Sequence, residues 1–217
     1  MRGRKTMKLS PFAAGIFAMA MLAGGTALAA PVSQSREVPD FRKIEINGGM
    51  DATVTVGKPR AVTIHADADD QERIKTEVRG DTLVIKMKGN FRSTRGIRAE
   101  ISVPALDGFA INGSTDATVS GVDAKRFDLE INGSGDIEIS GTGGNCDFEI
   151  NGSGDLSARN FRCTDVAVEI SGSGDAEIFA SGALEVEVSG SGDVDAWGGP
   201  KVKSVSISGS GDFTAHH

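Results

Sequence analysis

There is no tyrosine in this sequence, one tryptophan (Trp197), three histidines and two cysteines among 217 residues. Each shortage removes a class of function. Sugar-cleaving clefts set paired carboxylates beside aromatic platforms, whereas the ten phenylalanines here fall mostly at inward strand positions. Histidine, the usual general base near neutral pH, is limited to His65 and to His216 and His217 at an end expected to fray. Serines abound, but none sits in a Gly-x-Ser-x-Gly elbow between a strand and a helix. The chain is therefore expected to be no enzyme and to hold no catalytic residues. Long apolar runs are also missing after the first 29 residues, so no transmembrane segment is expected in the mature chain.

The first 29 residues read as a secretory leader. Arg2, Arg4, Lys5 and Lys8 form a basic start, Phe12 to Leu22 an apolar stretch, and Ala27-Leu28-Ala29 a small-residue cleavage site. No cysteine follows that would anchor a lipid. The expected location is the periplasm or the cell surface. The whole chain carries a net charge of −7, and losing the leader's four cations leaves −11. Residues 105–217 hold 6 Lys/Arg against 19 Asp/Glu, which argues against nucleic acid as a partner.

One phrase is present in abundance. It reads Asn112-Gly-Ser-Thr-Asp116, Asn132-Gly-Ser-Gly-Asp136, Asn151-Gly-Ser-Gly-Asp155, Ser171-Gly-Ser-Gly-Asp175, Ser189-Gly-Ser-Gly-Asp193 and Ser208-Gly-Ser-Gly-Asp212. From aspartate to aspartate the steps are 20, 19, 20, 18 and 19 residues. Such a period signals one unit stacked on copies of itself. Before each phrase the apolar residues alternate, as in Phe127, Leu129, Ile131 and in Leu184, Val186, Val188. A shorter alternation follows each aspartate, as in Ile137 with Ile139 and Leu156 with Ala158. Nothing in the repeat has helical spacing. Two short strands cannot bury a core alone, but coil on coil they share one, so the expected fold is an all-β parallel β-solenoid. A hairpin-based β-sandwich is the rival, but sandwiches do not repeat a turn at a fixed step.

Stacking would align like residues. Asn47, Asn112, Asn132, Asn151, Ser171, Ser189 and Ser208 would form one column able to pass hydrogen bonds between coils. Asp116, Asp136, Asp155, Asp175, Asp193 and Asp212 would form a second, each carboxylate accepting N–H groups of its own Gly-Ser-Gly reversal. The outward strand positions Asp128, Glu130, Asp147, Glu149, Glu169, Glu185 and Glu187 would form a continuous acidic face. That face is either a solvated surface that discourages edge pairing or a site for cations or a basic partner. Calcium-binding β-rolls repeat a related Gly/Asp phrase, but every nine residues. No cofactor or metal is therefore expected, with calcium along the aspartates kept as the alternative. The Asn-Gly-Ser sequons recur because the turn recurs and carry no glycan meaning.

Residues 41–111 are less regular. Phe41 to Asp51 is an early, degenerate copy of the phrase, and strands are expected at Ala52–Val56, Val62–Ala66, Thr82–Met87 and Ile97–Val103. A short helical turn is expected over Gln71–Val78 and a mobile loop over Gly89–Gly96, with Arg92 and Arg95. The 65 residues between Asn47 and Asn112 exceed three coils, so this region reads as a cap and opening coils. Residues 30–217 are thus one domain, with regular repeats over 112–213. Cys146 and Cys163 fall on adjacent coils three residues out of register. A disulfide and a buried thiol at Cys146 are both open. Ser208–His217 offers no C-terminal cap, which leaves room for a homo-oligomer through the last coil.

The phrases Ile131-Asn-Gly-Ser-Gly-Asp136 and Ile150-Asn-Gly-Ser-Gly-Asp155 resemble the head GIN domain of auto-transporter adhesins. So do Phe41-Arg-Lys-Ile-Glu-Ile, Val103-Pro104-Ala-Leu106 and Gly199-Pro200, and the likeness spans about residues 38–213. It implies a right-handed single-stranded parallel β-helix, bacterial export, and adhesion to an envelope polymer or protein. It brings no catalytic residues, and nothing in the chain looks like a translocator barrel. The expectation is a non-enzymatic envelope-binding module. The alternatives are a polysaccharide lyase or hydrolase on a β-helix scaffold, and a purely structural envelope protein.

Overall fold

The computed structural model describes residues 32–89 and 96–216; the leader and the loop expected between Gly89 and Gly96 lie outside them. The fold is all-β: 70% of the described residues are strand and 2% helix, in a β-solenoid of about five turns. In chain order the elements are β1 (Val32–Ser35), β2 (Lys43–Gly48), β3 (Asp51–Val56), β4 (Ala61–Ala66), α1 (Ala68–Gln71), β5 (Ile74–Arg79) and β6 (Thr82–Met87). Next come β7 (Arg98–Val103), β8 (Gly108–Gly113), β9 (Asp116–Gly133), β10 (Ile137–Gly152), β11 (Leu156–Gly172) and β12 (Ala176–Ala180). The last are β13 (Ala183–Gly190), β14 (Val194–Trp197), β15 (Lys201–Gly209) and β16 (Phe213–Ala215).

A regular coil shows how alternation becomes a core. In β10, Ile137 and Ile139 point inward, the strand bends past Gly141, and Cys146, Phe148 and Ile150 point inward again. Parallel pairing sets Ile150 against Ile131 on one side and Ile170 on the other. The interior is therefore filled by columns of like residues. It is widest around Phe127, Phe148 and Phe161, where Phe127 and Phe161 meet edge to face at 5.2 Å.

The reversals explain the invariance of the phrase. Gly152 has φ of +140°, and a Cβ there would sit 2.1 Å from the carbonyl oxygen of Gly133 in the coil below. At Gly154 the clash would be with Gly135 O, at 2.2 Å. Glycine is required because coil meets coil at backbone distance, not only for its freedom at positive φ. In return Ser153 N donates to Gly133 O at 2.8 Å. The uneven period has a local cause: between β9, β10 and β11 the register slips only at the bend after the second buried residue, around Ile139 and Ala158. There the longer coils hold their extra residue, and the reversals stay aligned.

The N-terminal third departs from sequence order. Strand β2 lies between β6 and β8, and β3 between β7 and β9. The coil made by β6 and β7 is thus outermost, although β2 and β3 precede it in sequence. Antiparallel strands β5 on β6, and β4 with β1 beyond β7, cover that end. The helical turn expected over Gln71–Val78 is corrected: α1 is earlier, and Ile74–Arg79 is strand. Ile74 and Val78 sit four apart, as on a helix, but they flank Thr76 on one side of a strand.

Candidate binding face

Strands β2, β8, β9, β10, β11, β13 and β15 lie side by side, and their outward positions form rows across one broad face. The first row is Lys43, Gly108, Asp128, Asp147, Ala167, Glu185, Ser204. The second is Glu45, Ala110, Glu130, Glu149, Glu169, Glu187, Ser206. Neighbouring rungs are about 4.8 Å apart. The seven acids named from the sequence therefore share one face, with four glutamates consecutive in the second row. Asp128 and Glu130 are half-buried, and the other five are exposed.

The face has relief. Gly108 and Ala110 leave a shallow depression of about 310 Å³ between the Lys43–Glu45 and Asp128–Glu130 rungs. Lys43 Nζ spans it to Asp128 Oδ2 at 3.0 Å, and Arg126 Nε reaches Asp128 Oδ1 at 3.2 Å. Burial pushes the Asp128 carboxyl up, but the hydrogen bonds and charges of Lys43 and Arg126 outweigh it and hold it below the usual carboxylate range. Among the described residues, no lysine or arginine is in ion-pair contact with Asp147, Glu149, Glu169, Glu185 or Glu187. That half of the face is uncompensated negative charge.

The third outward row orders the second. Asn112 Nδ2 donates to Asn47 Oδ1 (3.0 Å), Asn132 to Asn112 (2.8 Å) and Asn151 to Asn132 (3.1 Å). The same amide groups donate to the glutamate two residues back: Asn132 to Glu130 at 2.6 Å and Asn151 to Glu149 at 2.7 Å. The ladder thus fixes carboxylates as well as rungs. The aspartate column works differently from its expected role. From Asp116 to Asp193 each carboxylate accepts the N–H of the next coil's aspartate, from Asp136 N to Asp116 Oδ1 at 3.2 Å through Asp212 N to Asp193 Oδ1 at 2.8 Å. It joins coils rather than closing its own turn, because the reversal places successive aspartates directly above one another.

Cys146 and Cys163 are bonded, with Cα atoms 6.2 Å apart and both side chains buried. Among the described residues no group of three or more His, Cys, Asp or Glu is arranged to hold a metal.

Trp197 belongs to a separate cluster, away from the acidic face. Its ring stacks on His216 at 4.5 Å and lies 4.3 Å from the Arg159 guanidinium. His216 is not frayed: its Nε2 meets Asp195 Oδ1 at 2.7 Å and its backbone N donates to Ala196 O. The signal was available, since Phe179 pairs with Trp197 in register and His216 falls one coil on. With His216 and Arg159 on its ring, Trp197 is half-buried.

A family model described as "Putative auto-transporter adhesin, head GIN domain" matches residues 40–200. No curated protein matches the chain significantly. Among solved structures, a "putative adhesin" from Bacteroides fragilis superposes with a TM-score of 0.70 at 22% identity, covering 86% of this chain and 97% of that one. A "putative adhesin" from Parabacteroides distasonis gives 0.56 at 21% identity, over 86% and 97% of the two chains. A "putative lipid binding protein" from the same species gives 0.50 at 20%, over 88% and 98%. At these identities the likeness is one of fold.

Proposed function

The chain belongs to the auto-transporter adhesin head GIN domain family, and from that premise we propose that it is an exported, non-enzymatic binding module of the cell envelope. Its ligand is an extended polymer or protein that presents repeated positive charge. The observation that carries this reading is the row Glu130, Glu149, Glu169, Glu187, four carboxylates at strand spacing on one parallel sheet. A ligand with cationic groups at a matching repeat gains several weak contacts at once, and multiplicity raises avidity without any single strong one. The leader supports export, and the adhesin descriptions of the relatives support a role outside catalysis.

The test is crosslinking of the native protein in its envelope, followed by binding of the captured partner to the chain and to a Glu149→Lys/Glu169→Lys variant. The expected result is at least about tenfold weaker binding by the variant and binding that fades with added salt. Binding indifferent to both changes would reject the acidic face. A screen of acidic and neutral glycans for newly formed ends accompanies it; product formation would overturn the non-enzymatic reading.

A further inference from the structure

The two ends of the solenoid are built differently. At the N-terminal end, antiparallel strands cover the outermost coil, and its core residues Leu83 and Ile85 are fully buried. At the other end, among the described residues, β15 pairs only with β13, and β16 only with β14. Inward residues Val202, Val205 and Ile207 are 43%, 40% and 37% exposed, where Leu184, Val186 and Val188 one coil back are 0%, 2% and 1% exposed. A strand edge and a slice of core therefore face outward together.

The chemistry of that edge selects its occupant. The outward rows change character there: Ser204 and Ser206 stand in register with Glu185 and Glu187. The acids stop at the one coil where a second edge would have to meet them. Lysines stand at the strand's start, Lys201 in register with Ala183 and Lys203 at the register shift before Ser204, while Asp212 sits just past its far end. A strand that is cationic at its start, neutral in the middle and acidic just past its end is complementary to itself when reversed. We propose that this end binds a second copy of the chain, tail to tail, with β15 pairing antiparallel to its counterpart about a two-fold axis at Ser206. In that register Val205 faces the partner's Ile207, Ser204 faces the partner's Ser208, and Lys201 approaches the partner's Asp212. The contact is isologous and closes after two copies. Head-to-tail stacking would instead meet the covered N-terminal end and would not close.

The proposal stands apart from the ligand of the acidic face, and its test uses the mature chain alone. Sedimentation or light scattering is expected to give twice the monomer mass, with dissociation on dilution. Ser204→Glu/Ser206→Glu restores acids that preceding coils already carry at these positions, so the coil folds, but it sets like charges across the axis. The dissociation constant is expected to rise at least about 100-fold, with the circular dichroism of the monomer unchanged and its melting lowered only by the added like-charge contacts with Glu185 and Glu187. Ser206→Cys is expected to crosslink to its own copy under mild oxidant. A chain that stays monomeric at high concentration overturns the proposal, as do filaments, or a dimer indifferent to the glutamates.

Discussion

At the residue scale the fold depends on atoms that are missing. A Cβ at Gly172 would lie 2.0 Å from Gly152 O, at φ of +144°. Gly172→Ala is therefore expected to cost at least about 2 kcal/mol in urea unfolding, from backbone strain and a forced gap between rungs. Gly49→Ala, where nothing lies within 4 Å, is the matched control and should cost far less. Asp128 makes a pH prediction. Its carboxyl titrates below the unfolded value, so its contribution is complete above the ordinary aspartate range and disappears as acid carries the folded group through its own lowered value. The pair is exposed enough that Asp128→Asn should cost only about 0.5 kcal/mol at neutral pH and nothing in acid, measured by melts across that range. Glycines, asparagines and aspartates were legible as columns because the same letters recur at one step. What each aspartate bonds to was not, since an acceptor's donor lies a whole coil away.

At the element scale, the regular strands could be read because burial alternates with the letters. In the opening coils the strands β3, β4, β6 and β7 could be read as well, but not the order in which they stack. Asn47 pairs with Asn112 across 65 residues, and β6–β7 pass beneath β2–β3 before the chain rejoins the stack. That order rests on parallel pairing between distant segments, which leaves no local mark in the chain. The disulfide joins β10 to β11 over a sequence separation of 17. A Cys146→Ser/Cys163→Ser variant is expected to lose about 2–4 kcal/mol, because the reduced unfolded chain regains loop freedom. Chemical denaturation checks this, alongside mass spectrometry with alkylation; two thiols labelled without reductant would exclude the bond in the native protein.

At the scale of the whole molecule, one architecture sets stability against charge. Parallel stacking brings like residues together by construction, so a column that hydrogen-bonds, as the asparagines do, gains from it, whereas the carboxylates of the second row repel. Glu169 stands between Glu149 and Glu187, and among the described residues no hydrogen bond or ion pair offsets its charge. Like charges opposite one another across strands are destabilising. If the row exists only to keep the sheet solvated, Glu169→Gln should change melting and nothing else. If it serves a cationic ligand, the same change should stabilise the free protein by about 0.5–1 kcal/mol and weaken the captured partner's binding in the same preparation. Melting temperature and affinity, read side by side on this single variant, separate the two roles; a variant that melts lower than the parent would show that repulsion along the row is not what the fold carries.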